Sequence, residues 1–117
     1  MAGKVRTMFS DTQKAELKKL FIVALETTPE EKHCTGVYRY DISFCAIGLM
    51  ANVTVNYIPA FKWVAGAFCA NNETPASLIG KVLDLSLREI GEIMTWNDCN
   101  EMTFKQILAK MRENKWI

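Results

Sequence analysis

Cys45, His33 and the Asn97-Asp98 pair are the residues of this chain whose types could do covalent chemistry. A thiol at the mouth of a helix gains thiolate character from the unpaired amides there. A histidine within reach can act as base, and an Asn or Asp can orient the imidazole. His33 is the one histidine in the sequence, so it is the base by elimination. A cysteine-dependent hydrolase or transferase with Cys45 as nucleophile, His33 as base and Asn97 or Asp98 behind it is one expectation. The opposing expectation treats the same residues as scaffold. Ile42, Phe44, Ile47 and Met50 make an apolar setting for Cys45, and buried thiols are common in cores. Glu31, Lys32 and Thr35 flank His33 and read as a solvated loop. Asn tolerates the left-handed conformation that ends helices and Asp forms turns, so Asn97-Asp98 reads as a turn with Trp96 sealing the core. The scaffold reading has more support, so no catalytic site is expected; Cys45, His33 and Asp98 remain the candidates for one.

Other chemistries lack their residues. The four cysteines (Cys34, Cys45, Cys69, Cys99) include no C-x-x-C pair, and adjacent His33-Cys34 seldom ligates one ion, so no metal and no cofactor is expected. No Gly-rich phosphate loop, G-x-S-x-G or H-E-x-x-H occurs. The stretch from Tyr57 to Phe68 is aromatic and apolar, with Lys62 its lone cation. Tyr57, Phe61, Lys62, Trp63 and Phe68 form the candidate binding surface, because interface centres favour such side chains. Core packing is the competing use of the same bulk.

The elements that would position these residues are mostly helices. Ser10-Asp11-Thr12-Gln13 is a capping box and predicts a helix over 11–26 with Leu17, Leu20, Phe21 and Ala24 inward. Thr28-Pro29-Glu30-Glu31 predicts one short turn. Asp41 or Ser43 would cap a helix over 42–52 with Ala46, Leu49, Met50 and Val53 as its stripe. Gly48 in it implies that another helix crosses closely. Val53, Val55 and Tyr57 alternate with polar residues before Pro59, so 53–68 reads equally as a hairpin or a continued buried helix. Thr74-Pro75 opens a helix with Leu78, Ile79, Val82 and Leu83 inward. Ser86-Leu87-Arg88-Glu89 starts another, with Leu87, Ile90 and Met94 as its stripe. Thr103-Phe104-Lys105-Gln106 starts the last, to about 114, burying Phe104, Ile107, Leu108 and Met111. The predicted fold is mainly α: one compact domain over 1–117, a bundle of four to five short helices with a flexible arm over 1–9, and a small β-hairpin in 53–68 as the open alternative.

Half of the 117 residues are apolar and 23% are charged, which fits a globular chain. Fourteen basic against 13 acidic residues leave a net charge of +1, which gives no footprint for direct nucleic-acid binding. No apolar run is long enough to span a bilayer. Met1 to Arg6 has no signal-peptide pattern, and Gly3 is one position late for myristoylation, so a cytoplasmic location is expected.

Cys45, Ala46 and Gly48, followed by Trp96, Asn97, Asp98 and the Thr103 cap, give the pattern C-A-x-G … W-N-D. In this it resembles a group of small uncharacterised helical proteins from bacteria and their phages. The resemblance covers about 41–114, and the aromatic stretch at 52–70 departs from it. It implies a helical fold and a phage-type source, hence host cytoplasm, and carries no assigned chemistry. The resulting expectation is an accessory or inhibitor protein that binds another protein through the aromatic segment. The alternatives are the cysteine hydrolase or transferase above and a homodimeric structural protein.

Overall fold

Local capping chemistry sets where each helix of this chain begins. In the computed structural model, residues 9–40, 43–58, 61, 63–64, 68–69 and 73–117 are described, the side chains of Val64, Phe68 and Cys69 excepted. Helix α1 (Asp11–Thr27) starts at Ser10, whose hydroxyl accepts from the Gln13 N–H while the Gln13 side chain accepts from the Ser10 N–H. The same reciprocal box opens α4 (Leu87–Asp98) at Ser86/Glu89 and α5 (Phe104–Glu113) at Thr103/Gln106. Thr74 caps α3 (Pro75–Leu83), with Pro75 in the first turn, where its missing N–H costs nothing. A 3₁₀ turn (Glu30–Lys32) follows Pro29, as the sequence predicts.

Five helices are seen among the described residues, and their apolar faces meet in one core. α1 packs on α2 (Ala46–Tyr57), α3 and α5; α2 also touches α3 and α4, and α4 packs on α3 and α5. Two antiparallel strand pairs lie beside the helices: β1 (Arg39–Tyr40) with β2 (Ser43–Phe44), and β3 (Trp63–Val64) with β4 (Phe68–Cys69). The mainly α single body with a small hairpin is thus the architecture found. No helix among the described residues is long and apolar enough to cross a membrane.

Several details depart from the sequence expectations. α2 spans Ala46–Tyr57 rather than 42–52, so the alternating Val53–Tyr57 segment is helical. Thr54 is fully buried there and satisfies its hydroxyl on the Met50 carbonyl at 3.0 Å, so core packing outweighs β-branched propensity. The cap of α2 is Cys45 itself, not Asp41 or Ser43; its sulfur accepts from the Gly48 N–H at 3.3 Å. In α1, Leu25 takes the inward place expected of Leu20, which is exposed. In α4, Ile93 and Trp96 are buried, Met94 is half-buried, and Leu87, at the first position, is 71% exposed. The inward residues expected for α3 and α5 are all buried. Of the arm expected over 1–9, residues 1–8 lie outside the described residues; Phe9 is buried, edge-on to Phe61 at 5.8 Å.

Candidate functional site

Between the 3₁₀ turn and α2, residues 33–40 and 43–44 form an arm that is bonded to the end of α4. Asn97 sits in the last turn of α4 with 1% of its surface exposed. Its carboxamide oxygen accepts from the Ala46 N–H at 3.0 Å and from the His33 Nε2–H. Its amide nitrogen donates to the Cys34 carbonyl at 3.1 Å and to Asp98 Oδ1 at 2.8 Å. Asp98 Oδ1 also accepts from the Gly36 N–H at 3.0 Å. One side chain therefore joins the end of α4, the start of α2 and the root of the arm, with both of its polar atoms used fully.

Glu30 and His33 close the other side. Glu30 accepts from His33 Nδ1 at 2.7 Å through one oxygen and from the Phe104 N–H at 2.9 Å through the other. That second contact places a carboxylate at the positive end of α5. The imidazole lies flat on Phe104, with ring centroids 4.0 Å apart, and is only 10% exposed. It meets the Glu30 carboxylate on one side and the Asn97 carboxamide on the other. The expected solvated histidine is instead a packed strut. A polar cleft of about 340 Å³ opens beside it, lined by Glu30, His33, Thr35, Asn97, Glu101 and Met102.

Farther along the arm, Phe44 lies between two strand partners. His33 pairs with it in parallel and Arg39 in antiparallel, and the Cys34 N–H donates to its carbonyl at 3.0 Å. Arg39 lies over the rings of Phe44 and Trp63, at 5.7 and 5.5 Å. Trp63 donates its indole N–H to Asn52 Oδ1 at 3.0 Å. Neighbouring residues on a strand point to opposite faces, which sends Tyr40 away from this stack. Tyr40 is 72% exposed and Val37 50%.

The sequence-predicted site residues thus separate into two groups. Cys45, His33, Asn97 and Asp98 converge on the root of the arm, although not as a catalytic array. His33 is turned to Glu30 and Asn97, and the Cys45 sulfur faces the Gly48 N–H. Asn97 and Asp98 are helical and are not the turn expected of them; the left-handed residue after α4 is Glu101, at φ 52°. Of the aromatic candidates, Tyr57 is exposed, while Phe61 and Trp63 are half-buried against the core. Lys62 lies outside the described residues, and Phe68 is described only as backbone in β4. Sequence reasoning did not single out Val37, Arg39 or Tyr40; the Val-Tyr-Arg-Tyr run at 37–40 was the signal available. Among the described residues, no cluster of His, Cys, Asp or Glu is arranged to hold a metal ion.

Burial is the main force on the Cys45 thiol and pushes it up from 9.0 to about 11, against the lowering effect of the Gly48 N–H. The neutral thiol is stable in both folded and unfolded chains below pH 9. Between pH 9 and about 11 the unfolded chain releases this proton while the folded chain keeps it, so stability falls as pH rises through that window. A shift of about two units is worth at most about 3 kcal/mol. Cys45→Ser keeps a cap that does not titrate there. Urea melts at pH 8.5 and 10.5 are expected to show the parent losing of order 2 kcal/mol more than the serine variant. Equal losses would mean the thiol is not held neutral by the fold.

No protein-family model matches this chain, and no curated protein and no solved structure matches it either.

Proposed function

We propose that this chain is a small protein-binding module, an accessory or inhibitor protein of phage type, that engages its partner through the arm at residues 33–40 and 43–44. The observation that carries the reading is Tyr40, exposed to 72% on an arm whose root is anchored by the buried Asn97. An exposed tyrosine offers large contact area at small entropy cost, and prior fixing of its backbone lowers the cost of binding further. Val37, 50% exposed, adds apolar surface on the same arm, while Arg39 and Trp63 stack on its opposite face, so the reading moves from the segment Tyr57 to Phe68 onto the arm. The resemblance of the Cys45-Ala46-x-Gly48 and Trp96-Asn97-Asp98 residues to small phage and bacterial helical proteins supports the phage assignment and a place in the host cytoplasm. Among the described residues His33 is bonded to Glu30 and Asn97 and the Cys45 sulfur to the Gly48 N–H, so the hydrolase reading draws no support from their placement.

The test is affinity capture from a bacterial host lysate with three baits: the parent chain, Tyr40→Ala and Leu87→Ala. Tyr40→Ala should lose the captured protein at least tenfold, since a central tyrosine truncation costs about 2 kcal/mol or more. Leu87→Ala removes an equally exposed apolar side chain on another element and should capture as the parent does. Capture that survives Tyr40→Ala would remove the arm from the interface. A dimer on a sizing column that Tyr40→Ala dissolves would make the partner a second copy of this chain.

A further inference from the structure

The backbone brings two cysteines together at the root of the arm. His33 and Phe44 are aligned in an isolated parallel bridge, and the Cys34 N–H donates to the Phe44 carbonyl at 3.0 Å. That carbonyl shares its peptide unit with the Cys45 nitrogen, and Cys45 is still extended there, at φ −79° and ψ 174°, before α2 begins. Two residues joined through such a bond hold their Cα atoms within about 7 Å of one another. That separation reaches the range of about 4.4–6.8 Å between Cα atoms that a disulfide spans.

We propose that Cys34 and Cys45 form a reversible disulfide that ties the arm covalently to the first residue before α2. Both are free thiols in this structure. Cys34 is half-buried and Cys45 buried, so Cys34 is the accessible member of the pair. Cys34 is also among the neighbours that raise the Cys45 thiol. The oxidant is a small-molecule disulfide such as oxidised glutathione. The Cys34 thiolate attacks one sulfur of that disulfide; a bond forms between Cys34 and glutathione, and the first glutathione leaves as thiolate and takes up a proton. Cys45, deprotonated, then attacks the Cys34 sulfur, and the second glutathione leaves in the same way. Two protein thiols are oxidised and one glutathione disulfide is reduced to two thiols. In the process the Cys45 sulfur gives up the Gly48 N–H, and the residues from 34 to 45 become a closed loop.

This inference does not depend on the binding reading. Its test is incubation of the folded chain, in a Cys99→Ser background to remove the exposed thiol, with oxidised glutathione, followed by non-reducing peptide mapping. The expected result is a cross-linked Cys34–Cys45 peptide as the main product, reversed by reductant. In Cys45→Ser, Cys34 should instead retain a glutathione adduct, because no neighbour resolves it. A parent chain that accumulates the Cys34 adduct with Cys45 free would overturn the proposal. So would cross-linking in which Cys34 pairs chiefly with Cys69.

Discussion

Asn97→Ala is expected to destabilise the chain by about 3 kcal/mol or more, because it strands several polar groups of a buried hydrogen-bond network at once. Truncation strands the Ala46 N–H, the Cys34 carbonyl and the His33 Nε2–H, each of which now meets the carboxamide. A buried group left without its partner costs about 1–3 kcal/mol. At this chain length a loss of that size lowers the melting temperature by roughly 10–20 °C. Asn97→Asp separates the two halves of the network. It keeps the oxygen that receives Ala46 and His33, but it replaces the donor to Cys34 with a second carboxylate oxygen beside Asp98. The Asp variant is therefore expected to lose about 2–3 kcal/mol at neutral pH and to recover part of it on acidification, as that carboxylate protonates. Urea titrations at pH 4.5 and 7 read both effects. If either variant melts like the parent, the carboxamide is not what joins the arm to the helices.

Gly48→Ala carries the second large effect, and its cause is steric. A Cβ on Gly48 would lie 1.8 Å from the Tyr38 carbonyl oxygen and 2.7 Å from its carbon. Those are backbone atoms, so no rotamer change relieves the clash. The same carbonyl accepts from the Cys45 N–H at 3.2 Å, and displacing it loosens the arm from α2. Alanine favours a helix interior over glycine by about 1 kcal/mol. Overpacking against an immovable neighbour costs about 3 kcal/mol or more. The net expectation is a loss of at least about 2 kcal/mol, measured by thermal or urea unfolding, with the arm amides losing exchange protection first. A neutral or stabilising Gly48→Ala would mean that Tyr38 does not lie over the first turn of α2. Gly91→Ala is the control: a Cβ there meets no atom within 4 Å, so helix propensity alone acts and the change should stabilise slightly.

The two substitutions also separate what could be read in the sequence from what could not. Ser10/Gln13, Ser86/Glu89 and Thr103/Gln106 were legible because a capping box is complete within four residues, and α1, α4 and α5 start where those boxes stand. Gly48 was legible as a close approach, but the neighbour turned out to be the Tyr38 backbone and not another helix. Val53 to Tyr57 stayed open between strand and helix because β-branched alternation over five residues fits a strand, while the burial of Thr54 against the core decides for helix. The partners of Asn97 lie 51 to 64 positions away in sequence, at Ala46, Cys34 and His33. Turn chemistry was the only local meaning available to Asn97-Asp98, and it gave them the wrong role. His33 looked solvated for the same reason: its polar sequence neighbours say nothing about Phe104, on which it stacks.

What unites the site is an arm fixed to the helical body by Asn97 and Asp98 so that Tyr40 is presented on a rigid support. Amide hydrogen exchange of the free protein, read residue by residue by NMR, tests this most directly. The N–H groups of Cys34, Gly36 and Cys45, bonded to Phe44, Asp98 and Tyr38, should be protected to within about tenfold of the α4 amides. Exchange of all three at free-peptide rates while α4 stays protected would mean the arm is not held, and the account of this site would fail.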